Sequence, residues 1–492
     1  MTHSSTRPNP AALPSRLVLY DPFEVAGRWW LPERPDRTVS GLLEYSSDEI
    51  LLILAGELGG PGSQLEGIIS SSDVGRAPVI HGFTDCGKKL TLLKAVEVDS
   101  RSHNVQDPVR VVYSALYILS GYHSKSVDEL SINSLEIGFA HLNSFVNARV
   151  VNSERQASDQ IVRTVTMRYE APEKRILRIR SLNADVELDT DFNATERQMA
   201  FHLDATMLLR LKPDAPQSLE GYFVVHLWRL CYLLSLLTGE RVSPQWMRVG
   251  VAESESEHWL LYRAVTPQDS QPTVGSGLLL FYYAHIVDRL DEICERWFSV
   301  SDTLLSAMYL FMNALRQSGT DPRPRFLATT QAIEAFSRAT TDSKYMPADD
   351  YEKLVERVLE DAIPACVTRD HRNSLKTRIK YGYEHSQRKQ LQGLMNSLQP
   401  EMQECICRSV GEFVSGAIDT RNYLTHYTEA LRKHALQGVE LAWATEKLLM
   451  LLRVLFLRYL GIDEALIVRR ITEHPVFRYE RWQWRRFSEQ IS

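Results

Sequence analysis

The chain has 492 residues, too many for one ordinary hydrophobic core, so two or three domains are expected. A hydrophobic content of 44% and a charged content of 24% belong to a globular protein and exclude a disordered or fibrous chain. The formal net charge of -6 excludes nucleic-acid binding by bulk positive charge, so any such surface has to be local. Arginine supplies 43 of the 56 basic residues, which suits phosphate contacts and equally follows from GC-rich coding.

Residues 1–16, MTHSSTRPNPAALPSR, hold no apolar segment of signal-peptide type and read as a flexible lead-in. Residues 17–275 then read as a β-rich domain. RTVSGLLEYSSDEILLILAGEL predicts two strands around a turn at Ser46-Ser47-Asp48, and APVIHGFTDCGKKLTLLKAVEV two more around Asp85-Cys86-Gly87. The stretch DCGKKLT lacks the glycine spacing of a nucleotide loop, so a hairpin turn is the better reading. Trp29 and Trp30 fit core packing of the first strand better than a ligand site. RVVYSALYILSG, NSLEIGFAHL, QIVRTVTMRYE, KRILRIRS and HWLLYRAV are further strand candidates. One helix interrupts them, with Ser218 as its N-cap and Gly239 as its stop; it is apolar nearly all round and should pack on the sheet.

From residue 276 the hydrophobic period becomes helical, and 276–462 reads as an all-α bundle, making the whole α+β. GLLLFYYAHIVDRLDEICERWFSVSDTLLSAMYLFMNALRQ is long enough for two helices, and DPRPRFLATTQAIEAFSRAT starts another after its prolines. DDYEKLVERVLEDAI, RNSLKTRIKYGYEHSQRKQLQGLMNSL and EMQECICRSVGEFVSGAIDT continue the bundle. The run LLMLLRVLFLRYLG contains Arg453 and Arg458 and is too short to cross a bilayer, so it reads as a buried helix. Residues 463–492 form a basic and aromatic tail. Its FRYERWQWRRF stretch fits docking across an interface and also fits RNA contact. Of six cysteines only Cys405 and Cys407 lie close together, at a spacing unlike a zinc knuckle, and buried helix cysteines are the commoner case. A reducing, cytoplasmic location without membrane attachment is expected.

The segment AIDTRNYLTHYTEALRKH places Arg421 five residues before His426. Arginine followed after four to six residues by histidine is a cheap pattern, with roughly four matches expected by chance. The chain holds five: Arg76–His81, Arg197–His202, Arg378–His385, Arg421–His426 and Arg469–His474. Only Arg421 continues an apolar helical stripe, that of Ile406, Val410, Phe413, Val414, Ala417 and Ile418, where an arginine is costly unless paired. On an unbroken helix Arg421 and His426 are about 140° apart. They converge if the helix breaks between them, which Asp419, Thr420 and Asn422 would favour, or if a second copy of the chain supplies the partner.

RNYLTHY, between two amphipathic helices late in a bundle, resembles the signature of the HEPN superfamily. FLATTQAIEAFSRAT resembles that family's early helix, with its acidic residue at Glu334, and LKTRIKYGYEH resembles the next one. GRWWLPERPDRTVSGLLEYSSDEILLILAGEL followed by IHGFTDCGKKLTLLKA is similar to the N-terminal domain of ApeA-type anti-phage HEPN proteins. The resemblance implies a homodimeric endoribonuclease without metal or other cofactor, whose two motifs meet in one composite site. It implies catalytic roles for Arg421, Asn422 and His426: transition-state charge, orientation and proton transfer. Tyr427, Thr425 and Glu334 are implied at the substrate or beside the arginine. It further implies an RNA substrate, 2′,3′-cyclic phosphate products, abortive infection as the outcome, and a phage-derived trigger read by the N-terminal domain. The open alternatives are a non-catalytic HEPN module that binds nucleotide or RNA or dimerises the chain, and an N-terminal domain that acts as a ligand or protein receptor.

Overall fold

The computed structural model describes residues 17–58, 79–101, 110–158, 161–197, 200–262, 279–317, 321–362, 366–380, 382–427 and 429–479. The lead-in 1–16, the change of period near 275, Arg76 and the end of the tail beyond 479 lie outside them. The chain divides into two compact units, Met1–Phe298 and Ser299–Ser492.

The first unit is β-rich. Its strands are β1 (Phe23–Trp30), β2 (Val39–Tyr45), β3 (Ile50–Leu54), β4 (Ile80–Thr84), β5 (Lys89–Leu93), β6 (Val96–Arg101), β7 (Arg110–Ser114), β8 (Tyr117–Ser120), β9 (Ile132–Phe139), β10 (Val151–Ser158), β11 (Ile161–Tyr169), β12 (Arg175–Ile179), β13 (Ala184–Arg197), β14 (Ala200–Pro213), β15 (Pro244–Val251) and β16 (Glu257–Tyr262). Fourteen make one sheet in the order β12-β13-β14-β9-β15-β16-β8-β5-β4-β1-β2-β3-β7-β6, and β10 pairs separately with β11. The two hairpins expected from sequence are present: Tyr45 pairs with Ile50 across the Ser46–Asp48 turn, and Phe83 with Lys89 across Asp85–Gly87. Gly87 has φ +82°, which a glycine adopts without strain. In β1 burial alternates as a half-buried strand requires, with Phe23, Val25, Gly27 and Trp29 inward. Trp29 is fully buried, and its ring fills the space that a Cβ on Gly82 would need.

β13 and β14 are not among the strand candidates, although charged residues alternate along much of them. In the sheet those charges meet in a cross-strand row. Glu187 lies opposite Arg210, Arg210 opposite Glu136, and Glu136 opposite Arg248. The Arg248 guanidinium sits 5.1 Å and 5.5 Å from the Trp246 and Trp259 rings.

Helix α1 (Leu142–Val146) is a single turn. The apolar helix is capped by Ser218, whose hydroxyl accepts from the Gly221 N–H, and begins as α2 (Leu219–Gly221). It passes through a π-type stretch at Tyr222–Leu227 and ends as α3 (Trp228–Thr238), at Gly239 with φ 80°. Helix α4 (Leu290–Phe298) reads as the start of the helical region but packs with the sheet. Its Glu295 accepts from the Arg180 and Ser181 N–H groups, and its Trp297 exchanges hydrogen bonds with Arg229.

The second unit is all-helical: α5 (Asp302–Arg316), α6 (Pro322–Thr340), α7 (Ala348–Ala362), α8 (Arg369–Lys380), α9 (Gln387–Asn396), α10 (Pro400–Ile406), α11 (Val410–His426), α12 (Glu429–Arg432), α13 (Gly438–Tyr459) and α14 (Glu464–Glu473). The apolar run expected to be buried forms the C-terminal half of α13, where Phe456 meets Phe311 of α5 and Phe336 of α6. No helix among the described residues is long and apolar enough to cross a membrane. In the described part of the tail, Phe477 packs at 5.6 Å from the Arg453 guanidinium of α13. Cys405 is buried, and burial pushes the Cys407 thiol up to about 11.

Candidate functional site

Helix α11 carries the Arg421–His426 segment. The sequence suggests a single helix from Glu401 to Thr420, but the chain breaks at Cys407, and Ser409 caps a new helix by accepting from the Glu412 N–H at 3.4 Å. Ile406 therefore ends α10, and the buried side of α11 is Val414, Ala417, Ile418, Thr420 and Leu424.

No break occurs between Arg421 and His426. The three residues that favoured one are engaged otherwise. Asp419 takes a charge-assisted bond from Arg388 of α9 at 2.7 Å, and Arg388 also donates to Ser415 at 2.6 Å. The Thr420 hydroxyl donates to the Gly416 carbonyl at 2.6 Å and accepts from the Leu436 N–H at 2.8 Å, which ties the following loop onto the helix. Asn422 accepts from the Arg421 guanidinium at 3.2 Å. The helix ends at His426 and is capped by Tyr427 with φ 50°, a left-handed stop made without glycine. Arg421 and His426 thus lie about 140° apart around one straight helix and about 7.5 Å apart along it. One copy of the chain does not aim both at the same atom.

Arg421 is half-buried, and among the described residues no carboxylate pairs with it. His426 and Thr425 are exposed, and the Thr425 hydroxyl donates back to the Arg421 carbonyl at 2.8 Å. Tyr427 is 64% exposed, with its ring edge-on to Tyr423 at 5.7 Å. Asn422 is therefore the one sequence-selected residue in side-chain contact with Arg421. Glu334 is not: its carboxylate is taken by Arg338 at 3.1 Å and by Gln387. It lines a small space that Ile418 of α11 also lines.

Two groups near this helix have no signal in the local sequence. Arg323, in the first turn of α6, lies near enough to the Tyr423 and Tyr427 phenols to interact electrostatically, while Asp321 holds its guanidinium at 2.7–3.0 Å. Arg388 locks α9 to α11. Both are distant in sequence, and only packing brings them here. Among the described residues no three His, Cys, Asp or Glu side chains are grouped to hold a metal ion.

Residues 24–297, more than half of the chain, match the ApeA N-terminal domain 1 family, and residues 327–466 match the Apea-like HEPN family. No curated protein and no solved structure matches the chain. Glu334, Arg421, Asn422, Thr425, His426 and Tyr427 all fall inside the second match. The chain belongs to the ApeA family, pairing an ApeA N-terminal domain 1 with an Apea-like HEPN domain, a class of domain that is often a ribonuclease.

Proposed function

We propose that the protein is a metal-independent endoribonuclease that cuts RNA in the cytoplasm during anti-phage defence, as a homodimer whose N-terminal unit senses or gates. What supports this reading is a half-buried arginine that no carboxylate among the described residues pairs with, held by Asn422, on an unbroken helix with an exposed histidine, inside an Apea-like HEPN match.

An arginine already neutralised by a carboxylate has little left for a phosphate, whereas the Arg421 fork is open to one. In the proposed reaction Arg421 stabilises the charge that develops on the phosphoryl oxygens. His426 moves a proton at the attacking 2′-hydroxyl or at the departing 5′-oxygen. The 2′-oxygen forms its bond to phosphorus as the P–O5′ bond breaks, leaving a 2′,3′-cyclic phosphate and a 5′-hydroxyl. Asn422 orients the guanidinium, and the exposed Tyr427 ring is placed to stack on a base. Because the two groups diverge on one helix, His426 of one copy serves the phosphate held by Arg421 of the other. Thr425 and Glu334 have their polar groups engaged within the fold and take no step.

The test compares wild type, Arg421→Ala and His426→Ala in phage-challenged cultures and in RNA cleavage with purified protein. The nuclease reading expects both variants to lose protection and cleavage by at least about a hundredfold while staying folded. EDTA should leave wild-type cleavage unchanged. Protection retained in both variants would instead make the helical unit a binding or dimerisation module.

A further inference from the structure

Glu136 of β9 is fully buried, and its Oε2 accepts no hydrogen bond. Its Oε1 accepts from Arg210 Nε at 2.5 Å, whereas the Arg248 nitrogen 2.8 Å from Oε2 makes an ion pair there and not a hydrogen bond. Arg248 Nε is the complementary gap: it is buried, donates to nothing, and lies 3.6 Å from the Glu257 carboxylate of β16. Folded proteins leave few buried polar groups unmet, and those that remain call for an explanation. Glu257 stands beside both gaps. Two residues after it, Trp259 lies opposite Arg248, so Glu257 is on the same face of the sheet and diagonal to Arg248.

The charges around this point do not balance. Among the described residues five carboxylates, Glu136, Glu187, Asp189, Asp191 and Glu257, share four cations, Lys174, Arg210, Lys212 and Arg248. Glu257 is the least well served of the five, with its two arginine nitrogens at 3.6 and 4.0 Å. β8, on the other side of β16, brings only Tyr117, opposite Tyr262 at the far end of the strand. In the turn before β16, Glu253 accepts from Tyr122, and Glu255 is exposed. Burial and the adjacent Glu136 carboxylate raise the Glu257 carboxyl from its ordinary 4.5 to about 7, over the opposing pull of Arg248 and Arg210. The two carboxyl groups are within hydrogen-bonding reach of each other, and only a proton lets one donate to the other.

We propose that Glu257 and Glu136 hold one proton between them, and that this proton clasps β16 to β9 across β15, making the N-terminal unit responsive to a rise in pH. The Glu257 O–H donates to Glu136 Oε2, and the other Glu257 oxygen accepts from Arg248 Nε. One proton thus fills both gaps and brings the cluster to neutrality. When it leaves for solvent, two carboxylates face each other beside a buried strand, and the clasp opens. The device belongs to the N-terminal unit and does not depend on the helical unit cutting RNA.

The test uses the full-length wild type, Glu257→Gln and Glu257→Ala. Glutamine is neutral and keeps one N–H donor and one carbonyl acceptor, so it imitates the protonated acid, whereas alanine removes both. At about pH 6 wild type should show the infrared band of a protonated carboxyl group, fading towards about pH 9 and missing from both variants. The native state keeps a proton that the unfolded chain releases above 4.5, so its contribution to stability is full below 4.5 and is lost as pH rises to about 7. Relative to Glu257→Gln, the folding equilibrium constant of wild type should therefore fall several-fold per pH unit across that window, as read from denaturant midpoints. The fall stays short of about tenfold per unit, the limit for one proton, because the Glu257 side chain is 37% exposed. Above the window Glu257→Gln should be the more stable protein, and Glu257→Ala should lie below it throughout, with Glu136 Oε2 and Arg248 Nε unmet. The proposal is overturned if Glu257→Gln is less stable than wild type above about pH 8, since Glu257 would then be an ordinary ionised partner of the two arginines. An infrared band shared by all three proteins also overturns it. Should Glu257→Gln not fold, wild type against Glu257→Ala decides, and a wild type without the band sinks the clasp.

Discussion

At the scale of single residues, Arg421 separates charge from shape. Arg421→Lys keeps a cation but loses the planar fork that matches a phosphate. Cleavage should fall by about two to three orders of magnitude, the usual effect of losing one oriented donor to developing charge. Its melting temperature should stay within a few degrees of wild type, since among the described residues the side chain's one hydrogen bond is to its neighbour Asn422. Thr420 is the opposite case. Thr420→Val is nearly isosteric, yet it removes the acceptor of the Leu436 N–H. A loss of roughly 1 kcal/mol in chemical denaturation is expected, with the loop after α11 loosened in hydrogen exchange. A motif search sees Arg421 and Thr420 as near neighbours; Thr420 is bonded to backbone groups of the fold, whereas Arg421 is the residue proposed for the site.

At the scale of elements, the end of α11 and the row of charges in the sheet each support a test. Tyr427 holds a left-handed conformation that costs a non-glycine residue about 1 kcal/mol. Tyr427→Gly should keep or slightly raise the melting temperature while weakening RNA binding, which separates the cap from the stacking ring. In the sheet, burial alone would raise the Glu187 carboxyl, but hydrogen bonds from Lys174, Arg210 and Lys212 outweigh it and hold the group at about 2, below its ordinary 4.5. Between those values the unfolded chain binds more protons than the native one, so stability rises with pH. The Glu187 contribution is therefore full above about pH 4.5 and is lost as pH falls towards 2. Glu187→Gln should flatten the pH dependence of the N-terminal unit in that window, as followed by denaturant midpoints. Such a row is invisible to hydropathy because its members lie in four strands scattered from Glu136 to Arg248.

At the scale of the whole molecule, the divergence of Arg421 and His426 on one helix leads to a subunit-mixing test. Co-refolded Arg421→Ala and His426→Ala chains should regain cleavage, because a mixed pair still offers one arginine and one histidine across its interface. Absence of any recovery in mixtures shown to contain mixed dimers would place both groups of a working site in one chain. The order of a β-rich region and a helical region was legible from hydrophobic period alone, since period two and period 3.6 survive without knowledge of any contact. The hairpins at Ser46–Asp48 and Asp85–Gly87 and the caps at Ser218 and Gly239 were legible for a similar reason: turn and cap preferences are local. Packing assigned α4 to the sheet, through the hydrogen bonds of Glu295 and Trp297. Local chemistry also suggested a kink at Asp419–Asn422 that the fold does not make, because Arg388 and Leu436, from other parts of the chain, take up the groups that would have made it. By itself, then, the sequence determined the two-part architecture, which depends on residue type and short spacing, while Arg421, Asn422 and His426 were singled out by helical context and by a resemblance. Only the tertiary structure decided that no carboxylate among the described residues pairs with Arg421 and that Glu334 is engaged elsewhere, because each depends on which distant side chains packing brings within hydrogen-bond reach.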